Sequence, residues 1–172
     1  RASGILSALV VPSGGRLPGK AATIRLDGWT WEDLAIEPDA GLVIEWPSTE
    51  RGSWGGRGGR GGGSDSGAGK SIREISDWFD DAQAYLAARE ADPTLPPDTR
   101  YNAMAASLRG EQRVFIKAST AGQIATAVAW AKARGLQPVI LGGEEADRVA
   151  HLLVLEQVPV IVRGTHRSPV AR

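Results

Sequence analysis

The fold class is most clearly indicated by residues 113–164, RVFIKASTAGQIATAVAWAKARGLQPVILGGEEADRVAHLLVLEQVPVIVRG. Three short apolar runs, RVFIKA, QPVILGG and VPVIVRG, alternate in it with two longer segments of helical periodicity. In the first helical segment Ile124, Val128 and Ala131 share one face, and Gly135 ends the helix. Nearly continuous apolar strands joined through helices by short linkers are typical of a parallel sheet covered on both faces. The segment therefore predicts an α/β fold with right-handed βαβαβ crossovers.

Shorter apolar runs precede this regular segment. Residues 5–11, ILSALVV, predict a buried strand covered on both faces, with a tight turn after it at PSGG. AATIRL (21–26) and GLVIEW (41–46) predict two short strands, and DGWTWEDL between them predicts a turn with a short helical piece. The N-terminal part of the chain thus adds strands without a long helix between them.

Two helices are predicted between the N-terminal strands and the regular segment. SIREISDWFDDAQAYLAARE (71–90) is amphipathic, because its apolar side chains recur at spacings of three and four: Ile72, Ile75, Trp78, Phe79, Ala82 and Leu86. Ser71 followed by Glu74 predicts a capping box at its start, and the prolines of residues 91–99 end it. RYNAMAASLRG (100–110) predicts a second, shorter helix.

Residues 51–70 are half glycine and carry no apolar period, so they predict a disordered, flexible loop. Gly69-Lys70-Ser71 matches the end of a Walker A loop, but the required first glycine falls on Ser64 and no apolar strand precedes it. Arg57 and Arg60 each begin an Arg-Gly-Gly repeat, which is an RNA-binding pattern. Two repeats in a chain of zero net charge argue against nucleic acid, and RNA binding stays an alternative.

Composition bounds the class of protein. The chain has 172 residues, of which 42% are hydrophobic, enough for one globular core. It has no cysteine, which excludes zinc thiolate sites, iron–sulfur clusters and disulfides, and its two histidines, His151 and His166, cannot make a three-histidine metal site. No apolar run reaches the roughly 18 residues of a membrane helix. None of these features assigns a compartment or an oligomeric state.

Two long segments resemble a known family. SGILSALVVPSGGRLPGKAATIRLDGWTWEDL (3–34) resembles the segment after the metal-binding first strand in imidazolonepropionase-like members of the amidohydrolase superfamily. The stretch from VFIKAST to VPVIV (114–162) is similar to the later strands and helices of those proteins. The resemblance implies a (β/α)8 barrel and metal-dependent hydrolysis of a carbon–nitrogen bond that is not a peptide bond, for example in a cyclic amide. It implies zinc or another divalent metal as cofactor and a small molecule as substrate.

The resemblance also implies that this chain is an internal fragment, because a complete barrel takes about 250 residues. We expect a partial TIM-barrel-like parallel sheet with covering helices. Residues 1–50 would hold the first barrel strand and an excursion with short strands, 51–70 the Gly-rich loop, and 71–172 the helices and the βαβαβ portion of the same domain. The family's His-x-His strand and terminal-strand Asp would lie outside the chain, as would most metal ligands, and the fragment alone should be inactive.

Two positions depart from the family pattern. Lys117 takes the place on a barrel strand where the family usually has a metal-binding histidine. Gly142 and Gly143 end the next strand, where many members of the family have a second histidine. These departures leave two alternatives open for the full-length protein. It is either a hydrolase with a reduced metal site or a metal-free barrel that binds a small molecule.

Lys117 and His166 are the candidate catalytic residues. Lys117 lies at the carboxyl end of a predicted strand, where barrel enzymes keep their chemistry, although its ammonium group could equally extend to solvent. His166, in RGTHRSP, follows another strand. The carboxylates Glu37, Asp39 and Glu45 show no paired spacing and predict no acid–base pair.

Four further residues are candidates for substrate binding. Ser13, Gly14 and Gly15 follow the first predicted strand and could present backbone amides to an anionic group, or simply make a turn. Arg167 follows His166 after the last predicted strand and could bind substrate with it. No metal ligand is assigned within the chain.

Overall fold

The computed structural model describes residues 4–48 and 67–163. They form one six-stranded sheet whose spatial order follows the order of the strands along the chain. The strands are β1 Ser7–Val10, β2 Gly19–Arg25, β3 Ala35–Glu45, β4 Arg113–Ala118, β5 Gln137–Gly142 and β6 Val160–Val162. The helices are α1 Trp31–Leu34, α2 Gly67–Ala91, α3 Thr99–Leu108, α4 Ala121–Ala133 and α5 Ala150–Leu155, the last preceded by a 3-10 turn at Ala146–Val149.

The sheet is mixed rather than wholly parallel. Strands β3, β4, β5 and β6 are parallel neighbours, which confirms the predicted βαβαβ segment. Strands β1, β2 and β3 are antiparallel. The connections of residues 11–18 and 26–34 are too short for a parallel crossover, which needs a dozen or more residues. The sheet curls as half of a barrel, consistent with the predicted partial barrel.

Strand β1 forms where it was predicted, but the prediction that it is buried on both faces is wrong. It is an edge strand hydrogen-bonded to β2, with Ser7 and Val10 exposed and Ala8 and Leu9 half-buried. Only Leu9 and Val11 pack against the buried residues of the sheet. An apolar run shows that a segment prefers extended structure, but it cannot show how many neighbours the strand has.

Side chains of β3, β4 and β5 alternate between two buried faces. On the outer face Leu42, Ile44, Val114, Ile116 and Ile140 pack against helices α2 and α4. On the inner face Val43, Phe115, Val139 and Leu141 pack together with Ala21 and Ala40. Burial on both faces explains why these strands lack the polar alternation of a half-exposed sheet.

Helix α2 begins at Gly67, so the last residues of the predicted loop are helical. Ser71 is buried inside the helix, where its hydroxyl donates to the Gly67 carbonyl at 2.9 Å and accepts a hydrogen bond from the Arg16 guanidinium. The predicted capping box at Ser71 is therefore wrong, because a partner from a distant segment satisfies this side chain within the helix. Residues 69–71 lie near the start of this helix, and residues 64–66, which would form the beginning of a Walker A loop, lie outside the described residues. Residues 51–66 of the predicted loop lie outside the described residues.

The other helices largely follow the sequence pattern. Helix α4 has the inward residues expected of it and a capping box formed by Thr120 and Gln123. Helix α3 is capped by Asp98 and confirms the shorter predicted helix. The last predicted helix is interrupted, because its first turn is a 3-10 turn. Within the described ranges no helix is long and apolar enough to cross a membrane.

An aromatic cluster joins β3, α2 and α4. The Trp130 ring lies 5.3 Å from Trp46 and 5.0 Å from Phe79, the latter edge to face. Both indole N–H groups have acceptors, because Trp46 donates to Thr126 Oγ1 at 3.0 Å and Trp130 donates to Ser76 Oγ at 2.9 Å. Phe79 is fully buried. This cluster holds the two longer helices on the outer face.

Replacing Phe79 by alanine should lower the free energy of unfolding by about 3–5 kcal/mol, because it empties a fully buried site beside Trp130. Urea unfolding of Phe79→Ala and of the exposed control Gln83→Ala on the same helix measures this. A loss below about 1 kcal/mol for Phe79→Ala would mean that the aromatic cluster does not hold the helices.

Candidate active site

The register of the parallel strands brings Glu45 and Lys117 side by side at their carboxyl ends. Glu45 pairs with Lys117, and Lys117 pairs with Leu141 on the next strand. Val43 and Phe115, two residues earlier, face the inner side of the sheet. Because side chains alternate along a strand, Glu45 and Lys117 also face the inner side. In a TIM barrel this edge carries the active site.

A cavity of about 220 Å³ lies at this edge. Its polar lining comes from five places: the end of β3, the end of β4, the start of α4, the segment after β5 and the segment after β6. The side chains are Glu45, Lys117, Ser119, Gln123, Glu144 and Arg163. Trp46 and Leu141 supply apolar lining. The cavity is therefore small and mainly polar.

A second cavity of about 350 Å³ is lined by Ser13, Gly14, Gly15, Arg16 and Glu45. Glu45 lines both cavities, so the two share one wall. Gly14 and Gly15 adopt φ values of +104° and +74°, which glycine tolerates best. The structure thus brings the predicted substrate-binding residues of the 13–15 turn to the same site as Lys117.

Hydrogen bonds hold this turn against the strand ends. The Lys117 ammonium donates to the Pro12 carbonyl at 2.8 Å, and the Glu45 N–H donates to the Arg16 carbonyl at 2.9 Å. The Lys117 Nζ is also 3.9 Å from the Glu45 Oε2. The Lys117 side chain is 18% exposed and that of Glu45 is 47% exposed. Glu45 is therefore the more accessible of the two charged groups to a ligand.

The backbone N–H groups at the start of α4, which lines the first cavity, have hydrogen-bond acceptors within the protein. Gln123 Oε1 accepts from the N–H groups of Ser119 and Thr120, both at 3.1 Å, and its Nε2 donates to the Trp46 carbonyl at 3.4 Å. The Glu145 carboxylate accepts the Ala121 N–H at 3.0 Å. These amides already have partners, so ligand contacts at this edge fall mainly to the charged side chains of the first cavity and to the 13–15 turn.

Glu45 is the site residue that sequence reasoning missed. The prediction considered only pairs among the carboxylates Glu37, Asp39 and Glu45, and it left out the Lys117 ammonium, which lies 3.9 Å from the Glu45 carboxylate. The available signal was its place as the last residue of an apolar strand, in phase with inward-facing Val43. The other two candidates, His166 and Arg167, lie outside the described residues.

Gly142 and Gly143 cannot accept a side chain in this backbone without movement. Their φ values are +110° and +59°. A Cβ at Gly142 would lie 3.0 Å from the Ala118 carbonyl oxygen, and one at Gly143 would lie 2.5 Å from Val160 Cγ1. A histidine, which the family resemblance implies at this strand end, would therefore require the backbone or Val160 to move.

The described residues do not form a metal site. Within residues 4–48 and 67–163, no group of three or more His, Cys, Asp or Glu side chains could hold a metal ion. Two carboxylates, those of Glu45 and Glu144, line the first cavity together with Lys117. The zinc expected from the family resemblance therefore does not fit this donor set by itself.

Carboxyl groups with shifted pKa values lie elsewhere on the surface. A hydrogen bond from Arg134 lowers the pKa of Asp80, and one from Arg100 lowers the pKa of Asp98. A lowered carboxyl pKa adds stability above its unfolded-state pKa, and this stability is lost as the pH falls through the folded value. In each pair one side chain is exposed, so each pair contributes little, and the two mark structural ion pairs rather than catalytic groups.

The steric limit at Gly143 has a direct test. Gly135 has a similar φ of +70° but open space around its Cβ position, so it is a matched control. Gly135→Ala should cost only the strain of the left-handed backbone, about 1–2 kcal/mol, whereas Gly143→Ala should cost at least about 1 kcal/mol more because of Val160. Equal losses of unfolding free energy in the two variants would contradict the clash.

Comparisons with known proteins support the fold. No protein-family model matches the chain, and no curated protein matches it. Among solved structures, an amidohydrolase from Thermotoga maritima MSB8 matches 93% of this chain with a TM-score of 0.75 and 21% sequence identity. The chain covers 42% of that protein. The described half-barrel is thus similar in fold to part of an amidohydrolase.

Proposed function

We propose that this chain is part of an amidohydrolase-like hydrolase that cleaves a carbon–nitrogen bond outside peptides, such as that of a cyclic amide. The proposal is supported by the similarity of the half-barrel to part of an amidohydrolase. It is also supported by the position of a glutamate and a lysine, Glu45 and Lys117, on the inner face at the carboxyl edge of the sheet. The closer affinity to imidazolonepropionase-like enzymes rests on the sequence resemblance of residues 3–34 and 114–162.

Glu45 and Lys117 have complementary roles in this proposal. In hydrolysis a water molecule adds to the carbonyl carbon, the carbon–nitrogen bond breaks, and a proton passes from the water to the leaving nitrogen. Glu45, whose carboxylate is half exposed, carries that proton. The Lys117 ammonium stabilises the negative charge that develops on the carbonyl oxygen.

The 13–15 turn completes the substrate contact. Ser13, Gly14 and Gly15 line the second cavity together with Glu45 and in this proposal contact a polar group of the substrate. The bonds from Lys117 to Pro12 and from Glu45 to Arg16 keep this turn at a fixed distance from the strand ends. A fixed turn positions substrate without an ordering cost at binding.

The metal of such a hydrolase belongs to the proposal for the full-length protein. Zinc or another divalent ion would polarise the carbonyl and activate water. Because the described residues lack a complete ligand set, its ligands would come mostly from other parts of the full-length protein. No step assigned here to Glu45, Lys117 or the 13–15 turn depends on its position.

Kinetics of the full-length protein on a panel of cyclic amides test the proposed roles. Glu45→Gln should lower kcat by about 10²–10⁴-fold because it removes the proton carrier. Lys117→Met should lower kcat by roughly 10²-fold through lost charge stabilisation.

Lys132 and Glu156 provide matched controls on the outer surface. Lys132 also donates to a backbone carbonyl, that of Glu156, and its Nζ lies 4.0 Å from the Glu156 carboxylate. Lys132→Met and Glu156→Gln should leave kcat within about twofold of the parent, since surface substitutions have small effects. Full activity in Glu45→Gln, or equal losses in both pairs of variants, would reject the proposed site.

Metal content tests whether Lys117 is a ligand. Full-length protein purified without chelator should retain close to stoichiometric divalent metal, and Lys117→Ala should retain as much, because the ammonium is already bonded to Pro12. Elemental mass spectrometry measures both. Metal lost only in Lys117→Ala would make Lys117 a ligand, and absence of metal from both proteins would remove metal dependence from the proposal.

The alternative function is a metal-free barrel that binds a small molecule. The structural use of Lys117, which holds Pro12, favours it, because a lysine committed to a backbone carbonyl needs no catalytic role. This alternative expects the cyclic amides to bind without turnover. Calorimetric binding together with no product after prolonged incubation would favour it over hydrolysis.

A further inference from the structure

A larger cavity, of about 640 Å³, lies between the start of β2, the middle of β3 and the helices α2 and α3. We call it the α2–α3 cavity. Its volume is that of a small-molecule site and exceeds that of either cavity at the candidate active site. Lys117, the 117–119 segment and the strand ends take no part in its lining.

The floor and walls of the α2–α3 cavity are apolar and aromatic. Leu42 and Met104 are buried at its base, and Leu17 is half-buried beside them. Trp78 is 36% exposed and lines the cavity together with Tyr101. Flat aromatic walls over an aliphatic base fit a planar apolar body better than a polar or highly branched one.

The charged groups of the lining favour an anion. Three of them are cations, Arg16, Lys20 and Arg100, against one carboxylate, Asp81. Lys20 and Arg100 each have a carboxylate partner, Asp39 and Asp98 respectively.

Arg16 differs from the other two cations because it donates to the neutral hydroxyl of Ser71. A guanidinium group has five N–H donors in a planar fork that matches a carboxylate. Arg16 therefore keeps its charge and has donors to offer a ligand, while the single Asp81 carboxylate disfavours a second negative group on that ligand.

We propose that the α2–α3 cavity binds a small organic monocarboxylate with a flat apolar body, whose carboxylate pairs with Arg16 and whose body packs between Trp78 and Tyr101. This site does not depend on the proposed hydrolysis. It would take a ligand of the arylalkanoic acid class.

The probe for this site is 4-phenylbutyrate, with uncharged 4-phenylbutan-1-ol as the matched control, each titrated into the full-length protein by calorimetry. The acid should bind at one saturable site and at least ~10-fold more tightly than the alcohol, because a charge-assisted hydrogen bond is lost with the alcohol. Equal affinity for the two compounds, or no saturable binding of the acid, would overturn the proposal.

Variants locate the binding. Arg16→Gln should weaken the acid at least ~10-fold and leave the alcohol unchanged, which also shows that the cavity stays folded. Arg109→Gln removes one positive charge outside the cavity, where Arg109 pairs with Glu111, and should leave the affinity for the acid unchanged.

Two further variants separate this cavity from the candidate active site. Met104→Trp should abolish binding of both compounds by filling the base of the cavity. Glu45→Gln should leave binding intact, because Glu45 lines the cavities of the candidate active site but not the α2–α3 cavity, and its backbone bond to Arg16 is kept. Acid binding that survives Met104→Trp, or that is lost in Glu45→Gln, would place the compound elsewhere and overturn the assignment.

Discussion

The parallel register of β3 and β4, which pairs Glu45 with Lys117, is the constraint on which the candidate active site depends. A slip of either strand by one residue would turn its charged side chain to the helix-covered face and turn its isoleucine, Ile44 or Ile116, inward. Packing on both faces opposes such a slip, because the outer cluster requires Ile44 and Ile116 and the inner cluster requires Val43 and Phe115. The packing that stabilises this strand register therefore also keeps Glu45 and Lys117 side by side on the inner face.

The antiparallel excursion is joined to the parallel sheet at the same place. Lys117 holds the Pro12 carbonyl, the Arg16 carbonyl holds the Glu45 N–H, and the Arg16 guanidinium reaches Ser71 on α2. Arg16 therefore contacts three parts of the structure. Its backbone bonds the end of β3, its side chain bonds helix α2, and it lines the α2–α3 cavity. The second cavity of the candidate active site and the α2–α3 cavity share Gly15 and Arg16 in their lining, whereas the first cavity and the α2–α3 cavity share no lining residue.

Local patterns predicted the elements whose formation depends on local sequence. The βαβαβ segment and the helices α3 and α4 were predictable because apolar period, caps and stop signals agree in them. Local patterns did not predict three features, namely the exposure of β1, the burial of Ser71 and the pairing of Glu45 with Lys117. Each of them depends on which distant segment lies alongside, as with Arg16 and Ser71, which are 55 positions apart. The sequence resemblance to amidohydrolases predicted a partial barrel, and the structural similarity to an amidohydrolase supports this prediction at the level of fold.

A crystal structure of the full-length protein with a bound, slowly hydrolysed cyclic amide would test the proposed active site. If substrate binds at the carboxyl edge of β3 and β4, polar atoms of the amide will lie within hydrogen-bonding distance of Glu45 and Lys117, and the 13–15 turn will also contact it. An amide bound at the amino-terminal edge of the strands, or one that contacts neither Glu45 nor Lys117, would rule out the proposed site.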